Sequence, residues 1–331
     1  MGKDQFRSKN LSFQVAGLLC LLSAATSLGQ AAAKFDGCWD ITVKNEPHGR
    51  AWWLKISGAD SATPSGEFIS AFDGNLNPIE EINITGDQLV FGFRPVSRFA
   101  GGEKGTRHLI YSANLSGDKL HGTFVVDGQA GAPLEWTGVR APIIRDADDG
   151  TWHESKAVDL FDGKSLSGWY LQEADRTGGW FVKDGVLQST GKVSNLVSHQ
   201  TFWNFKLHVE FKVPEGSNSG VGLRARYEVQ IKGDHGAKPD THSSGALYSR
   251  IAPTIDATRP NDQWQSYDIR LVGRQVTVVV NGVTVIEKGA VEGLTAMATD
   301  PNEAEPGPLS LQGDHGAVEF RRISVTTLVK Q

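Results

Sequence analysis

An all-β chain in two parts is predicted here, an N-terminal small antiparallel β-barrel or meander followed by a larger β-sandwich, and three observations carry that expectation. Apolar and polar residues alternate in short runs such as Phe205-Lys-Leu-His-Val-Glu-Phe211, the period-2 signature of a half-buried strand. The runs are bounded by turn formers, and 38 of the 331 residues are Gly, which favours short strands joined by tight turns. Helix-periodic runs are few. About 300 residues remain after the N-terminal segment, enough for two domains with cores of their own.

Residues 1–33 read as a secretory signal peptide: Lys3, Arg7 and Lys9 precede the apolar run from Val15 to Leu22, and small residues follow. The run falls short of the ~20 residues that a membrane span needs. Gly29-Gln-Ala31 and Ala31-Ala-Ala33 both fit a small-x-small cleavage site, which puts the mature start between Ala32 and Lys34. Cys20 follows Leu19 rather than a small residue, so lipid attachment is not expected. Cleavage leaves Cys38 alone and no intramolecular disulfide. It also takes the net charge from −5 to −7, because residues 1–33 hold three basic residues and one acid. A periplasmic or secreted protein is expected, with no membrane attachment after cleavage. The absence of a Lys/Arg run argues against nucleic acid. Oligomeric state is left open.

The first domain is expected over residues 34–142, with strands at 39–43, 51–56, 66–71, 82–85, 89–93, 109–115, 120–126 and 134–139. Ile82-Asn-Ile-Thr-Gly-Asp-Gln-Leu89 and Ala113-Asn-Leu-Ser-Gly-Asp-Lys-Leu120 share one plan, a strand, a Gly-Asp turn and a returning strand. A meander of this length can close into a barrel and so lose its exposed edges. Phe35-Asp-Gly-Cys-Trp39 loosely resembles the opening of lipocalin-like barrels, in which a Gly-x-Trp plugs one end. Residues 143–156, rich in charge, form the expected linker.

In the second domain, residues 157–331, β-rich runs at 204–213, 220–231, 266–272, 276–281 and 319–326 are separated by Gly, Pro and Asn, with a hairpin turn at Asn281-Gly282. The run from Asn218 to Ile231 is long enough for one strand. On alternation, Arg224, Arg226, Glu228 and Gln230 would share one face as a polar ladder, and Leu223, Ala225, Tyr227, Val229 and Ile231 the core face.

Several motifs in order resemble the 3-keto-disaccharide hydrolase domain family over about residues 157–329: Asp159-Leu-Phe-Asp-Gly-Lys-Ser-Leu-Ser-Gly-Trp169, Trp180-Phe-Val-Lys-Asp-Gly-Val-Leu187, the Phe205–Phe211 run, Asn218 onward, Gly245-Ala-Leu-Tyr248, Trp264, Val280-Asn-Gly282 and Gly307-Pro-Leu-Ser-Leu-Gln-Gly-Asp-His-Gly-Ala-Val-Glu-Phe320. The resemblance implies a concanavalin A-like jelly roll that holds sugar on one sheet, and a 3-keto-glycoside as substrate.

Three clusters are candidates to meet the polar ladder: Gln312, Asp314 and His315; the loop with His235 and His242; and Tyr248 with Arg250. His beside a carboxylate can act as base, acid or metal ligand. Ordinary glycosidases need two carboxylates, and sandwich glucanases carry them as Glu-x-Asp-x-Glu on one strand. Here that strand has Glu228 alone. A 3-keto-sugar needs less, because its ketone acidifies the C2 proton and elimination can then expel the glycosidic oxygen. His315 is therefore expected as base and Glu228 as second acid-base group, with Arg224 and Arg226 steadying the enolate. Gln230, Tyr248, Gln312 and Asn218 are the expected substrate-binding residues. A divalent cation (Ca²⁺, Mn²⁺ or Zn²⁺) on Glu228, Asp314 and His315 is a further expectation, with no organic cofactor. Trp169, Trp180, Trp203 and Trp264 are expected to pack in the core. A non-catalytic, lectin-like sugar binder is the alternative, since one fold serves both roles.

Overall fold

The computed structural model describes residues 32–70, 73–95, 105 and 107–330; the signal peptide expected over residues 1–33 lies outside them apart from Ala32 and Ala33. Among the described residues the fold is all-β, with one 3₁₀ turn at Ala33–Phe35 and three sheets.

The first sheet is a nine-stranded antiparallel meander in the order Leu76–Pro78, Ser65–Ile69, Trp52–Ser57, Gly37–Val43, Leu134–Arg140, Lys119–Val126, Leu109–Ser116, Gln88–Phe93, Glu81–Thr85. Eight of these strands match the alternation of the sequence; Leu76–Pro78, only three residues with a Pro, carries too short a pattern to read. The sheet curls until its two halves meet. Phe68 lies 5.3 Å from Phe91 and 4.4 Å from Tyr111, and Trp52 lies 5.7 Å from Phe124. The end strands of the sheet are consecutive in the chain, so the barrel is completed by chain continuity rather than by a ladder. Trp39 is fully buried, donates from Nε1 to Phe35 O (3.0 Å) and carries Arg140 over its ring at 3.9 Å.

The remaining two sheets form the jelly-roll sandwich. One has five strands in the order Trp169–Leu171, Leu196–Phe202, Gly307–Leu311, Asn218–Leu223, Tyr227–Lys232. The other centres on Val318–Lys330, Phe205–Lys212 and Gln265–Val272. Their facing side chains, such as Val221, Leu223, Val229 and Ile231 against Leu207, Val209, Ile269 and Val278, make one buried cluster. Trp152–Glu154 and Val158–Asp159 pair with Val318–Lys330, so part of the expected linker is strand.

Barrel and sandwich share apolar surface. Ala51, Trp53 and Ile69 of the barrel belong to the sandwich's buried cluster. Trp53 is fully buried under Arg250, whose guanidinium lies 4.4 Å from the ring centroid, and a Cβ on Gly293 would come within 2.1 Å of its indole nitrogen. Only Gly lets the chain at 293 approach the indole this closely.

Candidate active site

The run from Asn218 to Ile231 is not one strand. Arg224 and Ala225 take left-handed φ values of 54° and 55°, and Arg226 N–H donates to Leu223 O (3.0 Å), so a tight turn joins Asn218–Leu223 to Tyr227–Lys232. Alternation could not reveal this, because neither residue is the Gly or Asn that usually marks positive φ. The turn removes both arginines from the ladder. Arg224 donates to Trp203 O (2.6 Å), Gly273 O (3.1 Å) and Asn204 Oδ1 (3.0 Å), with its guanidinium 4.0 Å from the Trp203 ring centroid. Arg226 donates to Glu305 O (2.7 Å) and to Asp300. Both are fully buried and tie the turn to neighbouring loops, and neither is among the charges felt by Glu228.

Past the turn, the register assembles the site on the outer face of the five-stranded sheet. Tyr170, Val197, Ser310, Gly222 and Glu228 oppose one another in turn across the five strands. Opposed residues share a face. The neighbouring row holds Gln230 and Gly220, and Gln312 N–H donates to Gly220 O (2.9 Å). The two glycines keep the floor bare: a Cβ on Gly220 would lie 2.3 Å from Glu228 Oε1, and one on Gly222 2.1 Å from Ser310 Oγ. Glu228 therefore lies across Gly220.

Glu228 is 2% exposed. Burial raises its pKa to about 8, against the opposing charges of His315 and Arg50, with Asp314 adding to the rise. The carboxyl is thus mostly protonated at neutral pH. Turned so that its NH₂ points inward, the Gln230 amide donates to Glu228 Oε1 (3.2 Å) and Ser219 O (3.0 Å). Thr295 Oγ1 accepts from Glu228 N–H (3.0 Å), and Glu228 O accepts from Tyr248 N–H (2.9 Å).

The wall facing Glu228 is the Gln312–Gly316 turn. Asn195 Oδ1 accepts from the N–H groups of Gly313 (2.8 Å) and Asp314 (3.3 Å), and Asn218 O accepts from Gly316 N–H (2.7 Å). His315 Nδ1 is 2.7 Å from Asp314 Oδ1. Burial opposes ionisation of Asp314, yet the His315 bond and the Arg50 charge bring it below the usual carboxylate range; the same bond raises His315 above the usual imidazole value. Gln312 is buried, and its Oε1 has no hydrogen-bond partner.

Glu228, Gln230, Gln312, Asn218, Asp314 and His315 lie on or beside this sheet face, with Tyr248 joined to Glu228 through its backbone N–H, whereas Arg224 and Arg226 are turned away from it. Of the loop histidines, His242 packs edge-on against Tyr248 with ring centroids 4.8 Å apart, while His235 bonds Thr258 on an exposed loop. Trp169 and Trp180 are core residues, and Trp203 and Trp264 lie under Arg224 and Arg321. Sequence reasoning missed Arg50, which the barrel contributes and which lies in a turn-like Pro-His-Gly-Arg run with nothing to mark it. For the expected cation on Glu228, Asp314 and His315, no group of three or more His, Cys, Asp or Glu side chains among the described residues is arranged to hold a metal, and Asp314 bonds Arg50 and His315.

A buried carboxyl, its pKa raised by burial, and a bonded Asp–His pair thus share the outer face of the five-stranded sheet. The chain belongs to the 3-keto-alpha-glucoside-1,2-lyase-like domain family, which it matches over residues 156–326. It is 24% identical to a 3-keto-disaccharide hydrolase of Bacteroides thetaiotaomicron, over 39% of this chain and 57% of that protein's length. Two solved structures from Parabacteroides distasonis ATCC 8503, provisionally assigned as glycosyl hydrolases, are also similar. One is 26% identical with a TM-score of 0.46, covering 60% of this chain and 94% of that one. The other is 27% identical with a TM-score of 0.42, covering 52% and 98%.

Proposed function

We propose that this protein cleaves the glycosidic bond of 3-keto-glycosides or 3-keto-disaccharides by β-elimination, with or without subsequent hydration. The observation that carries the reading is the placement of the buried Glu228 carboxyl and the Asp-supported His315 over a bare sheet floor. Membership of the family supports the substrate class.

In this reading neutral His315 removes the C2 proton, whose electron pair forms the C2–C3 enolate. Collapse of the enolate makes the C1–C2 double bond and expels the glycosidic oxygen, which takes the Glu228 proton. Water added across that double bond, hydrogen to C2 and hydroxyl to C1, returns a 3-keto-sugar and completes a net hydrolysis. With Arg224 and Arg226 engaged elsewhere, the neutral amides of Gln230 and Gln312 are the groups this reading assigns to the sugar's oxygens, with Tyr248 beside them. A second free carboxylate is not needed, which suits a site whose other acid, Asp314, is held by Arg50. The N-terminal segment supports placing this reaction in the periplasm or outside the cell.

Product analysis tests the reading. The purified protein is incubated with a 3-keto-disaccharide and with its unoxidised parent, each with and without a chelator. Cleavage of the keto sugar alone is expected, and its loss with the chelator would put a divalent cation at the site. Cleavage of neither sugar, with measurable binding of one, would return the chain to a lectin-like role.

A further inference from the structure

Arg50 belongs to the barrel, yet its side chain, 6% exposed, ends at the sandwich's acid-base wall. Its backbone is fixed first: Arg50 N–H donates to Glu46 Oε2 (2.7 Å), and Ala51 N–H donates to Ala298 O (2.8 Å). Its guanidinium then spans two elements of the sandwich, donating from Nη1 to Met297 O (2.7 Å) and from Nη2 to Asp314 Oδ2 (2.5 Å). The other oxygen of Asp314 faces His315 Nδ1 at 2.7 Å. Each Asp314 oxygen therefore has one charged or ionisable partner, and the chain of contacts runs from barrel to imidazole.

The barrel also touches the opposite wall. Leu76 N–H donates to Ser249 Oγ (2.8 Å), and Asn75 Oδ1 is 2.9 Å from His242 Nε2, whose ring packs against Tyr248. The site is held from both sides by a unit that carries none of the groups assigned to proton transfer.

We infer that Arg50 is a positioning residue of the candidate site: supplied by the barrel, it fixes the Asp314 carboxylate and, through it, the His315 ring. His315 is half exposed, and its ring is hydrogen-bonded to the Asp314 carboxylate. If the Asp314 carboxylate is free to turn, the ring loses the hydrogen bond that orients it. Loss of alignment without loss of the reacting group costs turnover rather than substrate affinity.

The effect on turnover rests on the reaction proposed above, whereas the effect on the ring does not, so both are measured in the full-length R50M and R50K variants. The His315 ring signal is followed by ¹H–¹³C NMR at one fixed pH, with His208, bonded to Asp268 on the other sheet, as internal control. In R50M the His315 signal is expected to shift or broaden while that of His208 stays in place. On a 3-keto-disaccharide, kcat should fall about 10- to 100-fold with KM within about threefold, and R50K should recover part of the loss. An unaltered His315 signal in R50M would overturn the inference, as would a raised KM with kcat preserved, which would make Arg50 a substrate contact. If the wild-type protein cleaves no keto sugar, the proposed reaction falls and Arg50 is judged on the ring signal alone. Should R50M fail to fold, R50K, which keeps the charge but lacks the two-pronged fork, carries the same comparison.

Discussion

In the barrel the core is aromatic, with Phe68, Phe91, Phe93, Phe124 and Trp52 gathered around Tyr111; in the sandwich it is largely aliphatic, with Val, Leu and Ile of two facing sheets interlocked. The chemistry divides as unevenly. The sandwich carries Glu228, His315 and the amides that would meet a sugar, whereas the barrel adds one guanidinium and the backbone that holds it. Family resemblance reaches only the sandwich, but the site's electrostatics do not respect that boundary. The half without recognisable motifs still acts on the half that has them.

Removing the sandwich's own acid-base groups should produce the largest change. E228Q and H315A are each expected to lower kcat/KM on a 3-keto-disaccharide by about 10²- to 10⁴-fold, measured by steady-state kinetics, with sugar binding retained by calorimetry. The comparison breaks if either variant keeps full turnover.

At the seam between the halves, W53A removes a fully buried indole from beneath Arg250. The expected cost is about 3–5 kcal/mol, read as a lowered urea midpoint. If stability is unchanged, the shared apolar surface does not couple barrel and sandwich.

Stability should also depend on pH through Glu228. Its carboxyl titrates at 4.5 when unfolded and at about 8 when folded, so between those values the folded state holds a proton that the unfolded chain has released. Stability therefore falls as pH rises through that window. E228Q lacks this loss and should be more stable than wild type at pH 9 by about 5 kcal/mol, with little difference at pH 4. Asp40, raised above the carboxylate range by burial and then by Glu303 across the seam, acts in the same direction. It does so in both proteins, so their difference isolates Glu228.

The smallest effect is expected at the floor of the site. In G220A the new methyl would press on Glu228 Oε1, and the carboxyl at the end of its side chain would swing aside. A drop of about tenfold in kcat/KM is expected, with the thermal midpoint little changed.

These contrasts track what the sequence could show. Alternating runs located eight of the nine barrel strands, because a half-buried strand writes its two faces directly into the residue order. Alternation also placed Glu228 and Gln230 on one face and Tyr227 and Val229 on the other. It failed at Arg224-Ala-Arg226, where L-residues take a conformation usually left to Gly or Asn and a hairpin hides inside an apparently continuous strand. Arg50 was illegible for a different reason. It acts across 264 residues of chain, and spacing carries no trace of a contact that only the packing of two domains creates.

The burial of Trp53 has a bearing on the order in which the chain is made. Arg250 and Gly293, which cover the indole, follow it by some two hundred residues. On a ribosome the barrel emerges first and can fold as a unit, yet the tryptophan has nothing to cover it until nearly the whole sandwich has been synthesised. For that interval the nascent barrel presents an apolar face that only its own C-terminal half can close.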